Sequence, residues 1–152
     1  MPRYTTRRRV PFSARQMFDL VADVEKYPEF LPLCEALRVR RRMRDGEGRE
    51  VLVANMEVGY KAIRESFTSQ VTLDPAANRI LVTYLDGPFS HLDNRWTFHQ
   101  LEQGSDIDFL IDYEFRNIVL QMLMGAMFDT AFRRFADAFE ARAREVYARP
   151  AT

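Results

Sequence analysis

Residues 117–148 read NIVLQMLMGAMFDTAFRRFADAFEARAREVYA, and their spacing predicts one long helix. Before it, Leu33 to Arg116 reads as one strand after another. Asn117 suits the cap position, where its side chain accepts a backbone N–H of the first turn. In the second half, Phe128, Ala131, Phe135, Ala138 and Phe139 form an apolar stripe opposite Arg133, Arg134, Asp137 and Glu140. A sheet with one apolar face must bury it, and only this helix is long enough to cover it. The expected class is α+β, a curved antiparallel sheet over one C-terminal helix, with a concave space for a small apolar ligand between them.

The start of that helix does not fit a single buried stripe. Ile118, Val119, Leu120, Met122, Leu123, Met124 and Met127 surround the axis between Ile118 and Phe128. Three readings stay open: a fully covered helix end, a dimer interface, or a gate that meets membrane or ligand through adaptable Met side chains.

Working toward the N-terminus, Ile107, Phe109, Ile111, Tyr113 and Phe115 share one face of a strand, with Asp108, Asp112 and Glu114 on the other. His91 to Leu101 alternates as cleanly. Leu92, Asn94, Trp96 and Phe98 lie on one side, and Asp93, Arg95, Thr97 and His99 on the other. Arg79 to Leu85 is a mostly apolar strand. Ala62 to Leu73 puts Ile63, Glu65, Phe67, Val71 and Leu73 on one face. Glu50 to Tyr60 does the same with Leu52, Ala54, Met56, Val58 and Tyr60, and Gly59 suggests a bend or bulge. Leu37 to Met43 sets Leu37, Val39 and Met43 against Arg38, Arg40 and Arg42. Asp45-Gly46-Glu47-Gly48 is a hairpin turn. Tyr4 to Val10 is a first strand, and Ser13-x-x-Gln16 a capping box opening a helix that ends near Asp23. Val24 to Pro32 is a short helical turn and loop, with Tyr27, Phe30 and Leu31 as apolar plugs.

The 152 residues fit one domain, 1–152, and the 12 Phe supply wide apolar surface. No apolar run reaches the ~20 residues of a membrane-spanning helix. The arginine-rich Met1–Gln16 has the composition of a transit peptide, but it is needed as the first strand and helix. The single Cys34 makes no internal disulfide, which favours a reducing compartment. Charge is uneven: 11 basic against 5 acidic residues up to Arg44, and 11 against 17 beyond it. Such asymmetry marks either a surface for anionic partners or arginines on a solvated face. Aromatic residues do not interleave the arginines as a base-stacking platform requires.

Little in the chain reads as catalytic. His91 and His99 fall on the polar parity of one strand, about 26 Å apart at ~3.3 Å per residue, too far to share a metal ion. Cys34 has no nearby histidine and reads as a buried thiol. Glu65, on an apolar parity, must be paired, turned outward, or used as a polar contact for a ligand. Asn94 stands in a similar position without an ionisation cost.

Four ordered motifs resemble the coenzyme Q-binding START-domain family of the polyketide cyclase/START superfamily. They are Tyr27-Pro28-Glu29-Phe30-Leu31-Pro32-Leu33-Cys34, Arg64-Glu65-Ser66-Phe67-Thr68-Ser69, Gly87-Pro88-Phe89-x-His91-Leu92-x-x-x-Trp96-x-Phe98, and Ala138-Phe139-Glu140-x-Arg142-Ala143. The resemblance runs from about Tyr4 to Tyr147. Leu33 departs from it, where many relatives are expected to carry Trp.

The resemblance implies a helix-grip fold, as in START domains and birch-pollen allergens, with about seven strands in β-α-α-β6-α order. It further implies an apolar tunnel holding ubiquinone or a related polyprenyl lipid. The residues expected to line it are Phe30, Leu31, Ile63, Phe67, Leu92, Trp96, Phe98, Phe109, Ile111, Tyr113, Met124, Phe128 and Phe135, with Glu65 and Asn94 as polar contacts. The expected function is non-enzymatic quinone binding in support of respiratory electron transfer, with no metal or other cofactor. The expected location is the cytoplasm, with peripheral contact at the inner membrane through residues 118–128. Bacterial members of the family are often labelled ribosome-association toxins, so binding to the large ribosomal subunit is the alternative. A small-molecule cyclase or hydrolase on the same fold comes third. DNA is not an expected partner.

Overall fold

Ser13 opens the first helix as its spacing predicts. Its Oγ accepts the Gln16 N–H at 3.0 Å, while the Gln16 side chain accepts the Ser13 N–H at 2.9 Å. The computed structural model describes residues 3–60 and 63–147. The elements are β1 (Arg3–Val10), α1 (Ala14–Ala22), a 3-10 turn (Val24–Glu29), β2 (Cys34–Arg44), β3 (Glu50–Tyr60), β4 (Ile63–Asp74), β5 (Arg79–Asp86), β6 (Phe89–Gln100), β7 (Ser105–Phe115) and α2 (Ile118–Tyr147). Ala62 and Ala148, expected as the first residue of a strand and the last of the helix, lie outside the described residues. Asn117 caps α2, its Oδ1 accepting the Leu120 N–H at 2.9 Å.

The strands form one curved antiparallel sheet of seven strands in the order β1-β7-β6-β5-β4-β3-β2. The first strand thus pairs with the last, which seats α1 and α2 on the same face. That face carries the residues the alternation predicts: Leu52, Ala54 and Val58 on β3, Val71 and Leu73 on β4, Leu92, Trp96 and Phe98 on β6, and the odd positions Ile107 to Phe115 on β7 are all buried.

Strict alternation fails on β2. Val39 pairs with Ala54 and Arg41 with Val53, so one residue is inserted as a bulge. Every side chain beyond it changes face. Met43, expected beside Leu37 and Val39, turns out and is 44% exposed. Arg42, expected outward, comes opposite the buried Leu52 and reaches Glu25 at 2.6 Å and Glu50 at 3.4 Å. This pairing ties the end of β2 to the 3-10 turn.

Gly59 has a different role from the expected bulge. The β3–β4 register runs unbroken from Glu50 to Tyr60. A Cβ on Gly59 would sit 2.5 Å from Glu35 Oε2 and 2.8 Å from Arg64 Cδ, and its N–H bonds the Leu33 carbonyl at 3.0 Å. A larger residue there would make the Glu35 and Arg64 side chains shift. Leu33 itself takes a left-handed φ of 68°, an unusual setting for a leucine.

The two halves of α2 are held differently. The C-terminal half is tied down by Arg8 to Asp137 and Glu140, by Arg142 to Glu29, and by Tyr147 Oη donating to the Gln16 carbonyl. In the N-terminal half Ile118, Val119, Met122 and Leu123 are exposed, the last two by 78% and 60%. Met124 and Phe128 on the inner side are buried, and Met127 packs partly against the core. The uncovered outer side excludes a fully covered helix end.

Candidate ligand-binding cavity

The α2 backbone runs closest to β1, β7 and α1. Over β2 to β6, side chains must bridge the remaining gap, and they leave it partly unfilled. The cavity there measures about 100 Å³. It is tighter than the ~300–1,000 Å³ typical of small-molecule pockets.

Three sides enclose the space. From α2 come Phe128, Ala131, Phe132, Phe135 and Phe139. From the sheet come Met56 and Val58 on β3, Phe67, Ser69 and Val71 on β4, Ile80 and Val82 on β5, and Leu92, Asn94 and Trp96 on β6. The 3-10 turn and the loop after it supply Val24, Tyr27, Leu31, Pro32 and Leu33. The left-handed Leu33 therefore lies on the wall at the point where the loop enters β2.

Aromatic rings make the deep end rigid. Phe139 meets Trp96 at 5.0 Å, Phe30 at 5.2 Å and Tyr27 at 5.4 Å between centroids, each edge to face. Polar groups on the wall are few. Asn94 Nδ2 donates to the Leu110 carbonyl at 2.8 Å, and its Oδ1 accepts the Trp96 indole N–H at 3.1 Å. Tyr27 Oη donates to the Val21 carbonyl at 2.5 Å. Burial, with smaller contributions from Cys34 and Asp23, pushes the Tyr27 phenol far above its ordinary value. Tyr27 is the only titratable side chain on the described wall. A single neutral, committed phenol offers no acid–base pair for chemistry on a bound molecule.

The structure brings Leu31, Phe67, Leu92, Asn94, Trp96, Ile111, Phe128 and Phe135 together on the cavity wall. It places other expected residues elsewhere. Phe30 packs behind Phe139, with the Arg142 guanidinium over its ring at 5.1 Å. Phe98 is stacked beneath Trp96 and faces Phe18 of α1, because α1 covers that end of β6. Phe109 fills the seam between Tyr4, Trp96 and Phe135. Tyr113 and Met124 are buried in the core but do not reach the wall. Sharing a parity with the lining residues is thus not enough, since the helix lies directly on β7. Glu65 lies opposite Val58, half-buried and off the wall. Ile63 begins β4, but its side chain is outside what the structure describes.

Several lining residues escaped the expectation. Phe132 and Phe139 fall at i+4 and i+11 from Phe128, a spacing that could have selected both. Ser69 shares the parity of Phe67 and Val71, which is the signal that places it on the wall. Tyr27 and Leu33 reach the wall through loop geometry that no periodicity reveals.

The two histidines lie away from the cavity, and Cys34, beside Tyr27 and Leu33, is not part of its wall. His91 Nε2 meets Asp112 at 3.1 Å, and His99 Nε2 meets Asp108 at 2.8 Å, both on the outer face. Arg7 holds the Asp108 carboxyl down to about 2, mainly through its hydrogen bond, with help from His99. Burial pushes the Cys34 thiol up to about 12, so it is not a nucleophile at neutral pH. Among the described residues no group of three His, Cys, Asp or Glu could hold a metal ion.

The family model for polyketide cyclase / dehydrase and lipid transport proteins matches residues 10–140. The chain is 35% identical over 148 residues to the ribosome association toxin RatA of Escherichia coli K12, covering 97% of this chain and 90% of that one. It is 29% identical over 151 residues to the mitochondrial coenzyme Q-binding protein COQ10 homolog B of Xenopus laevis, covering 96% of this chain and 59% of the other. Among solved structures, the 18 kDa protein CC1736 of Caulobacter crescentus superposes with a TM-score of 0.78 at 32% identity, covering 98% of this chain and all of that one. A seven-stranded curved sheet closed by one long helix, matched along nearly its whole length, establishes that the chain belongs to the START-like polyketide cyclase / dehydrase and lipid transport family.

Proposed function

We propose that the protein is a non-enzymatic binder of ubiquinone or a related polyprenyl lipid, supporting respiratory electron transfer as a carrier. The observation that carries this reading is the wall itself: aromatic and aliphatic on three sides, with one amide, one serine and one committed phenol as its polar groups. A flat ring between Trp96, Phe67 and the α2 phenylalanines would gain apolar contact on both faces. A wall without a free acid–base pair speaks against the cyclase and hydrolase readings.

At about 100 Å³ the space suits a ring and little of a tail. The tail would leave through the mouth. The exposed Ile118, Val119, Met122 and Leu123 suit contact with a bilayer, because residues 118–128 carry no charge. No helix among the described residues is long and apolar enough to cross a membrane, so such contact would be peripheral, at the inner membrane of a cytoplasmic protein. Mass spectrometry of lipids extracted from the purified protein, with Trp96 fluorescence titrations of delipidated protein against ubiquinone analogues, tests the reading. Co-purified quinone and saturable quenching are expected. Lipid-free spectra and an unchanged Trp96 signal would refute it.

A second reading has its own observation. Arg38, Arg40, Arg41 and Arg44 on the edge strand β2 are exposed and make no ion pair within 4.0 Å among the described residues. Arg7, Arg8 and Arg9 on the opposite edge strand are all paired. Four unpaired arginines on a sheet edge fit the phosphates of ribosomal RNA, in line with the name of the ribosome association toxin relatives. Co-sedimentation with 50S subunits that weakens steeply with salt, and is lost on reversing Arg38 and Arg40 to Glu, is the expected signature. Salt-insensitive or absent co-sedimentation rejects it.

A further inference from the structure

One polar atom on the cavity wall has nothing to bond. Ser69 lies on β4 between Phe67 and Val71, is 5% exposed, and lines the cavity. Its Oγ has no hydrogen-bond partner among the described residues. A buried hydroxyl in this state is costly, and most such groups in folded proteins find a partner. The neighbouring hydroxyl, Thr68 on the opposite face, receives the Asn55 amide at 3.1 Å. The other two polar side chains of the wall, Asn94 and Tyr27, are engaged by the protein itself.

The strand neighbours of Ser69 leave its hydroxyl unserved. Across β3 the partner is Ala54, whose methyl group offers no hydrogen bond. Across β5 it is Tyr84, whose hydroxyl already accepts the Phe89 N–H at 3.1 Å. Ser69 therefore carries an unused donor and acceptor on a mostly apolar wall.

We propose that Ser69 Oγ is the hydrogen-bonding point for the ligand, and that the cavity selects an apolar ring or chain bearing an oxygen function near its buried end. The proposal rests on the lipid-binding reading above and names the contact that reading lacks. A hydroxyl both donates and accepts. It can give its proton to a carbonyl oxygen, as in a quinone, or accept one from a hydroxyl, as in the reduced quinol. The same residue then holds both redox forms, which suits a carrier that takes up one and releases the other.

Calorimetric titration of delipidated wild type and Ser69→Ala with decylubiquinone and with decylbenzene, which lacks the oxygens, tests this. The expected result is a loss of affinity of about three- to tenfold for decylubiquinone in the variant, the size of one hydrogen bond, with decylbenzene unchanged. Reduced decylubiquinone should lose by a similar factor. Ligand-free Ser69→Ala should melt no lower than wild type, since the atom removed has no partner. Should that variant fail to fold, Ser69→Cys, of like size with a feeble donor, carries the same comparison. An equal loss for both probes would mean altered cavity shape and would overturn the hydroxyl's role. No loss for either would overturn it while leaving lipid binding intact. Failure of both probes to bind wild type would overturn this proposal together with the lipid-binding reading.

Discussion

Along β6, Leu92, Trp96 and Phe98 face the helices and are buried, while Asp93, Arg95 and His99 between and beyond them face outward. The inner face is a continuous aromatic packing that runs from Trp96 through Phe139 to Tyr27 and Phe30. The outer face is a ladder of charges: Asp108 with Arg7 and His99, Arg9 with Asp106, Arg95 with Asp93, and His91 with Asp112. The inner face draws its stability from apolar area taken out of water, which scales with the surface buried. The outer face gains only what ion pairs retain in a high-dielectric, screened setting, typically 0–1 kcal/mol each. One strand thus carries two kinds of energy on alternate residues, and substitutions on the two faces should differ several-fold in effect.

The sharpest test is Phe139→Ala. Phe139 is 1% exposed and touches three other rings, so its loss should cost about 3–5 kcal/mol in urea unfolding. A cost below ~1 kcal/mol would mean that the helix is not seated on the sheet as described, and the contrast between faces would collapse.

The outward side of the first turns of α2 tests the apolar surface that belongs to neither face of the sheet. Met122→Asp with Leu123→Asp should leave unfolding within about 1 kcal/mol of wild type and lower association with lipid vesicles about tenfold or more, since charge is disfavoured in an apolar membrane contact. An unfolded double variant would make these side chains core despite their exposure. Unchanged vesicle association would move the membrane contact elsewhere.

A smaller effect is expected from pH on the outer face. Arg7 and His99 hold the folded-state pKa of Asp108 down to about 2, below the ordinary carboxylate range. The stabilisation is therefore fully present above pH ~4 and is lost as pH falls through the folded value. Asp108 is about a third exposed, so solvent screening limits the gain to under about 1 kcal/mol. Wild type and Asp108→Asn should differ by that amount at pH 6 and converge near pH 2. A difference that grows as pH falls reverses the sign and rejects the assignment.

Smallest of all should be the double substitution His91→Ala, His99→Ala, expected to stay within about 0.5 kcal/mol at pH 7.5. A loss above ~1.5 kcal/mol would show that the charge ladder is as structural as the aromatic face. Bound zinc that disappears with the histidines would point to a metal site built from more than these two residues.

Most of the strand faces could be read in advance because a period of two is local: Ile107 to Phe115 needs no knowledge of its neighbours. β2 shows where that ends. The bulge after Val39 arises from pairing with β3, and it sends Met43 out and Arg42 in. Five of the thirteen residues expected to line the wall fell similarly short. Phe98, Phe109 and Tyr113 share the right parity but lie under α1 or α2, while Leu92 and Trp96 lie where the helix backbone stands off.

Sequence alone determined the element order, the buried parity of β6 and β7, the capping of both helices and the uneven character of α2, since each depends on residues within a turn or strand of one another. Tertiary structure alone decided which inward residues meet empty space and which meet another side chain. That choice follows from where α2 lies across the sheet, close to β1 and β7 and away from β2 to β5. Tertiary structure likewise leaves the Ser69 hydroxyl without a partner among the described residues and brings the left-handed Leu33 to the wall, its carbonyl bonded by the Gly59 N–H. Both depend on distances between segments far apart in the chain, which no local pattern encodes.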